Sequence, residues 1–445
     1  MGRSGKCAMY ALKDQGYELA VQDSKEADKA DPEVREFCPK HDIKEYYGTM
    51  PDDFSQYDMM VLSPGVDPES TFVIKAMEQG CEIVGELELA YRLAKGIFVG
   101  ITGTNGKTTT TTLVGEIFRA SGRNTNVVGN IGLPVISVAG DSKPVDWMIT
   151  EVSSFQLQTV SKFRPKVSAI LNLTPDHLNR HHTMEAYGAA KAAIWKNQGS
   201  GDYLVMNIYD PVLMKLCYED VDQEFGGTFV GFSRKTEPEI GAFLKDGRLV
   251  IKDEEGRIHD LISRDELRIP GDHNVENALA AAAICFFSGI STETIVKVLR
   301  EFAGVEHRLE FVKDIKGVSY YNDSKGTNTD ATLIAIRALK NDIILIAGGD
   351  AKSQDFTEMA KELSGPVKHV VLFGRDRGMI KEAMDKAGYT SYSEHADLEE
   401  CVRYAAGIAE PGDKVLLSPA CASWDMYPNF EVRGSHFKDC VGRLE

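Results

Sequence analysis

The run Ile97-Phe98-Val99-Gly100-Ile101 passes directly into Thr102-Gly103-Thr104-Asn105-Gly106-Lys107-Thr108 and then into a threonine-rich stretch, 109–112. An apolar strand, a glycine-rich turn and a helix in that order bring consecutive N–H groups and the positive end of a helix dipole to one point, where a polyphosphate can be held. In such a loop Lys107 pairs with the β- and γ-phosphates and Thr108 gives its hydroxyl to Mg²⁺. Gly103, Thr104, Asn105, Gly106 and Thr109 complete the cradle. The strict spacing G-x-x-x-x-G-K-[ST] is not met, because Ile101 stands at the first glycine position, so the loop is a variant.

On both sides of this loop short apolar runs alternate with helix-length amphipathic segments, the pattern of βα units around mostly parallel sheets. The fold class is α/β, and 445 residues at roughly 150 per domain suggest about three domains. The expected division is 1–95, 96–304 and 305–445. Strands are predicted at 18–22, 59–62, 81–84, 97–101, 147–150, 167–171, 203–206, 228–232, 318–321, 343–347, 369–373 and 414–417. Helices are predicted at 6–15, 71–79, 275–287 and 292–302, with a polar hairpin around Asp246-Gly247 and Glu255-Gly256.

Acidic residues number 67 against 50 basic, a formal charge of −17, which opposes wrapping a nucleic-acid backbone. No apolar run approaches bilayer length, and the first residues lack the apolar core of a secretory signal. A cytoplasmic protein that binds neither nucleic acid nor membrane is expected. The eight cysteines form no CxxC pair and no His/Cys cluster at zinc spacing, and so read as reduced thiols.

Several residues carry chemistry only in company. Glu151 follows the apolar run 147–150, so its carboxylate emerges at a strand's carboxyl end beside the phosphate loop, a position for a metal ligand. Alone it would be an ordinary strand-end glutamate. His177 ends the segment Asn172-Leu173-Thr174-Pro175-Asp176-His177, while His181 and His182 read as solvated loop residues. Lys191 lies on an alanine-rich helix, where snorkelling is the default for a lysine. Gly2-Arg3-Ser4-Gly5 ahead of a helix is compatible with a Rossmann-type turn or with a plain helix start, and the strand that should precede the turn is missing. Ser63-Pro64-Gly65 fits a phosphate or sugar contact and equally a strand-ending turn.

Together, the loop 102–108, Glu151-Val152-Ser153-Ser154-Phe155-Gln156-Leu157, the segment 172–191 and Gly271-Asp272-His273-Asn274-Val275-Glu276-Asn277 resemble the Mur ligase family. Glu306-His307-Arg308, Asn322-Asp323-Ser324-Lys325-Gly326-Thr327-Asn328 and Ser418-Pro419-Ala420-Cys421-Ala422-Ser423 extend the resemblance over essentially the full chain, nearest to the family's D-glutamate-adding branch. The likeness implies a Rossmann-like first domain, a central ATPase domain of phosphate-loop type and a Rossmann-like third domain. It also implies the family's chemistry: ATP phosphorylates the carboxylate of UDP-N-acetylmuramoyl-L-alanine, and the amine of D-glutamate attacks the acyl phosphate.

The resemblance makes Lys107, His177 and Lys191 catalytic. It implies that Lys191 is carbamylated and with His177 holds one Mg²⁺, while Thr108 and Glu151 hold another. Asn274, Arg308, Asp323 and Lys325 match positions at ATP, with Asp323 toward the ribose. Asn130 and Ser153 match the neighbourhood of the UDP-substrate, joined by Ser4, Asp23 and Ser63. Thr327, Lys352, Ser423 and Phe430 match the D-glutamate pocket, with Lys352 pairing the side-chain carboxylate. A monomer is expected. Two departures stand out: the missing first strand, which implies a shortened chain or weakened uridine binding, and Trp424, bulkier than the aliphatic residue expected after Ser423. Two other readings are open, a family member adding another amino acid and a nucleotide-binding sensor impaired by its shortened first domain.

Overall fold

The uninterrupted apolar run at 97–102 becomes a strand in the computed structural model, which describes residues 1–221, 225–352 and 354–444. Ile97–Thr102 is buried along nearly all its length inside a nine-stranded sheet. A strand with apolar residues on both faces needs cover on both, which is why parallel sheets read as continuous hydrophobic runs. The sheet runs, edge to edge, Ile258–Ser263, Arg248–Lys252, Gly241–Lys245, Thr228–Ser233, Tyr203–Asn207, Val167–Ile170, Ile97–Thr102, Trp147–Glu151, Thr125–Gly129. All neighbours pair in parallel except the two hairpins at the Ile258–Ser263 edge, which turn at the Asp246-Gly247 and Glu255-Gly256 pairs.

The chain divides into two compact units, Met1–Glu266 with Val275–Arg300, and Leu267–Asn274 with Glu301–Glu445. In the first unit, the chain opens in the helix Arg3–Asp14, and two separate parallel pairs follow. They are Ala20–Asp23 with Lys44–Tyr47, and Met59–Leu62 with Glu82–Gly85. The opening helix starts three residues earlier than expected, so Arg3, Ser4 and Gly5 form its first turn and only Gly2 caps it, and no strand stands ahead of it among the described residues. The second unit holds a six-stranded sheet in the order Glu310–Ile315, Val318–Asn322, Lys414–Leu417, Ile343–Gly348, Val367–Phe373, Tyr392–Glu394, antiparallel only at its first pair.

Buried polar groups help fix the first unit alongside its apolar core. Glu88, on the helix Glu86–Leu93, has a fully buried side chain. It accepts hydrogen bonds from the Ser161, Lys162 and Phe163 N–H groups at 3.0–3.1 Å and from Arg92 Nε at 2.9 Å. Burial alone would raise its pKa, but these donors outweigh burial and hold it below the ordinary glutamate value. A carboxylate that ties one segment to the turn before another strand leaves several donors stranded when it is removed. Glu88→Ala should therefore lower stability by about 3–5 kcal/mol, and Glu88→Gln by clearly less, both read from urea denaturation. A loss under about 1 kcal/mol for the alanine variant would contradict this assignment.

Candidate active site

Three adjacent parallel strands end at the same edge and deliver the site. Val167–Ile170, Ile97–Thr102 and Trp147–Glu151 lie side by side, so the segment after 170, the loop 103–106 and Glu151 leave the sheet together. Crevices at the carboxyl ends of parallel strands are where such sheets bind ligands. Gly106 takes φ +81° as the cap of the helix Lys107–Ala120, and a Cβ there would run into the Asn277 side chain. The left-handed backbone favours glycine here, and a side chain would have to displace Asn277.

The loop is held in shape from the neighbouring strand. Asn172 takes the Thr104 N–H on its carbonyl at 3.1 Å. Its side chain receives the Asn105 N–H at 2.8 Å and returns a bond to the Asn105 carbonyl at 3.0 Å. Thr104 Oγ1 meets the Thr174 carbonyl at 3.1 Å and the Tyr187 hydroxyl at 3.3 Å. Thr108 and Thr109 are both buried at the start of the helix.

Two lysines converge on one carbonyl. Lys107 Nζ donates to the Gly103 and Thr104 carbonyls, both at 2.8 Å, and Lys191 Nζ donates to the same Gly103 carbonyl at 3.0 Å. Lys191 does not snorkel: it is 1% exposed, with its ammonium 4.5 Å from the Tyr187 ring centroid. The small residues of its helix let the backbone pack closely, and the side chain is trapped beneath the loop. Burial first, and then the Lys107 charge, push its pKa well below the usual lysine value. Burial also pushes the Tyr187 phenol up to about 12.

Glu151 is 2% exposed, and Asn130 Nδ2 donates to its Oε1 at 2.9 Å. Its Oε2 is buried with no hydrogen-bond partner. An orphaned carboxylate oxygen at the mouth of a phosphate-type loop fits a hard divalent cation, whose preferred ligands are oxygens. His177, at φ +54° and half exposed, caps the short helix Leu178–His181 and sits 3.5 Å from Asp176, its ring 4.9 Å from Phe155. His181 corrects the sequence reading. It is buried, bonded to Ser154 Oγ at 2.9 Å and packed against Phe155 and Tyr187, so it braces the site, whereas His182 is exposed as expected.

Of the residues expected at the UDP-substrate, Asn130 lies at this edge. Asn130 follows Gly129 in a tight turn, its N–H on the Glu151 carbonyl at 2.9 Å. Arg3, on the first helix, reaches the Gly132 carbonyl of that turn at 3.0 Å. Ser153 caps the short helix Ser154–Leu157 in a reciprocal box with Gln156. Ser63 lines a small cavity with Leu62, Gly85 and Phe155. Ser4 lies in the first helix, and Asp23 pairs with the Met1 amino group.

In the second unit, Asp323 is buried at the end of Val318–Asn322, accepting from Leu309 N at 3.1 Å and Ser418 Oγ at 2.7 Å. Burial pushes its carboxyl up to about 6 against the pull of these donors. Arg308 keeps a buried Nε with no hydrogen-bond partner. Asn274 donates to the Pro270 carbonyl at 2.7 Å, and the Lys325 ammonium lies 5.5 Å from the Phe430 ring centroid. Phe430 in turn accepts from Ser324 Oγ through its carbonyl at 2.8 Å. Thr327 lies in the turn after Asp323, and its carbonyl accepts from Gln354 at 3.2 Å. Ser423 is buried, and its carbonyl ends the loop by accepting from Tyr427 N at 2.8 Å. Lys352, exposed at φ +47°, places its ammonium 3.7 Å from the Trp424 ring centroid, so the bulky residue noted in the sequence forms a cation–π platform.

Sequence reasoning missed the bracing residues Asn172, Asn277, Tyr187 and His181. Asn172 and Asn277 stand in motifs quoted above, but their targets lie on other segments and no local spacing reveals them.

Comparison with known proteins matches three family descriptions in order: Mur ligase MurD-like N-terminal domain at 1–85, Mur ligase middle domain at 101–285, and Mur ligase glutamate ligase domain at 307–421. UDP-N-acetylmuramoylalanine--D-glutamate ligase of Alkaliphilus metalliredigens is 48% identical over 437 residues, 97% of this chain and 94% of that one. The ligase of the same name from Clostridioides difficile is 44% identical, covering 100% and 97%. Among solved structures, UDP-N-acetylmuramate-alanine ligase MurC of Thermotoga maritima aligns with a TM-score of 0.60 at 18% identity, covering 100% and 98%. MurF ligase of the same organism, in complex with ADP, aligns at 0.58 and 16% identity, covering 89% and 100%. The structural likenesses speak to the fold, and the sequence likenesses span almost every residue discussed here; the chain belongs to the Mur ligase family.

Proposed function

We propose that the chain is an ATP-dependent ligase that joins D-glutamate to UDP-N-acetylmuramoyl-L-alanine in peptidoglycan precursor synthesis. The observation that carries the chemistry is the convergence of Lys107 and Lys191 on the Gly103 carbonyl beside a strand-end glutamate, Glu151, with an unpaired buried oxygen. The near-full-length likeness to D-glutamate ligases supports the choice of amino acid. The working division is 1–95 for the UDP-substrate, 96–304 for ATP and 305–445 for the amino acid, in a monomer of the cytoplasm. Among the described residues no helix is long and apolar enough to cross a membrane.

A carboxylate is a poor acyl donor. Its oxygen takes the γ-phosphoryl of ATP as ADP leaves, and the amine of D-glutamate then displaces phosphate to form the amide. Thr108 with Glu151, and His177 with Lys191, would hold Mg²⁺, which would supply neutralisation of the phosphate charge when bound. Gly103, Thr104, Asn105, Gly106 and Thr109 shape the cradle, and Lys107 is held by two carbonyls at its mouth, positioned to stabilise the transferring phosphoryl. Burial lowers the Lys191 pKa and so favours the neutral amine, the form that adds CO₂ with release of a proton to give a carbamate, an oxygen anion suited to a cation.

Arg308, with its unpartnered Nε, supplies positive charge to the nucleotide, joined by Asn274 and Lys325. Asp323 serves the ribose through the lone pairs that Leu309 and Ser418 leave. Lys352 pairs with the side-chain carboxylate of D-glutamate, with Thr327, Ser423 and Phe430 lining that pocket. Ser4, Asp23, Ser63, Asn130 and Ser153 serve the UDP-substrate.

Incubation with Mg-ATP, UDP-N-acetylmuramoyl-L-alanine and a panel of amino acids should release phosphate only with D-glutamate and yield a product heavier by one glutamyl residue. Turnover with a different amino acid, or with none, would overturn the assignment. Lys107→Ala should lower kcat on the order of 10³-fold, and near-normal turnover in that variant would remove the loop from the mechanism. Lys191→Ala should be inactive, and added short-chain carboxylic acids should restore part of the activity. Absence of rescue, with the variant folded by circular dichroism, would count against carbamylation.

A further inference from the structure

The last helix of the second unit, Phe430–Gly442, packs beside the helix Leu398–Ile408, and metal-ligating side chains meet between them. His436 and Cys440 are four residues apart and so share one face of their helix. Glu399 comes from the first turn of the other helix. One ligand atom from each of the three lies within 4.8 Å of the other two. Tetrahedral zinc, with bonds of about 2.3 Å to sulfur and about 2.0 Å to nitrogen, separates its ligand atoms by about 3.5 Å. Only small side-chain motions would close the set.

Two features of the surroundings suit such a site. The Tyr427 hydroxyl holds His436 Nδ1 at 2.8 Å, an outer contact of the kind that fixes the orientation of a ligating imidazole. Arg443 reaches both remaining ligands, with Nη2 at 3.2 Å from Cys440 Sγ and 3.5 Å from Glu399. A positive charge is therefore already drawn to this point, on an exposed side chain that a metal ion would displace. The sequence showed no zinc spacing, because its third ligand arrives from a separate helix.

We propose that Glu399, His436 and Cys440 form a zinc-class cation site that clamps the last helix to Leu398–Ile408, with the fourth position left to water. Thiolate, imidazole and carboxylate together select a borderline-soft ion over Mg²⁺, which takes oxygen ligands. On binding, the Cys440 S–H bond breaks, the proton leaves to solvent, the sulfur–metal bond forms and Arg443 is displaced. The site is independent of the reaction proposed above, since none of its residues belongs to the nucleotide or amino-acid pockets.

The test is Co²⁺ titration of the chelator-stripped full chain, read by the thiolate-to-cobalt charge-transfer band, followed by Zn²⁺ displacement. One equivalent per chain should develop the band, and Zn²⁺ should erase it and raise Tm. Cys440→Ser should abolish the band, and His436→Gln should weaken Co²⁺ binding by at least about tenfold. Arg443→Gln should tighten it by up to about fivefold, since a competing cation is gone. Absence of the band in the natural chain would overturn the proposal, as would its persistence in Cys440→Ser or unchanged affinity in His436→Gln. Comparing the Tm of the metal-free variants with that of the metal-free natural chain separates lost ligation from lost folding.

Discussion

The carbonyl of Gly103 is the point on which the site depends. It accepts from Lys107 and from Lys191, two side chains that carry the same charge in water and that burial brings together. Like charges in a region of low polarity do not both persist; one is displaced toward its neutral form, and the more deeply buried Lys191 yields. Burial disfavours the charge on Lys191, while the less buried Lys107 stands at the mouth of the loop. The unpaired oxygen of Glu151 lies at the same sheet edge, so opposite electrostatic characters are set out side by side before any ligand arrives.

Preorganisation of this kind needs a rigid frame. The loop 103–106 is braced by the Asn172 side chain, by Tyr187 through Thr104, and by Asn277 closing on Gly106. These are polar contacts inside a densely packed region, where a satisfied hydrogen bond specifies geometry more sharply than apolar contact does. Glu88 works in the same way further from the chemistry, tying its helix to the turn before Val167–Ile170, the strand that leads to Asn172. In the second unit Asp323 joins two loops through Leu309 and Ser418, with burial holding its carboxyl near the point of protonation.

Much of the fold was legible because buried parallel strands announce themselves. Ile97–Thr102, Val167–Ile170 and Ile343–Gly348 are largely apolar, buried runs, and each lies where the sequence put it. Elements with little burial were missed. Lys44–Tyr47 reads Lys-Glu-Tyr-Tyr and pairs with one neighbour only, while Glu310–Ile315 and Tyr392–Glu394 are sheet edges with few apolar residues to mark them. The helix Pro32–Lys40 carried a clear start signal, Asp31 followed by proline, but its internal Pro39 obscured the rest.

The sequence by itself determined the α/β class, the phosphate-type loop and the family, because these rest on local order: strand, turn, lysine, helix, and motifs read along the chain. Tertiary structure alone decided which side chains share space. It buried Lys191 where an amphipathic reading would have it snorkel, and it made His181 a brace where a loop reading would leave it in water. It also set Trp424 against Lys352 and gathered Glu399 toward His436 and Cys440. Solvation and proximity are properties of the packed chain, and a lysine's charge or a histidine's exposure is fixed only when its neighbours from distant segments are in place.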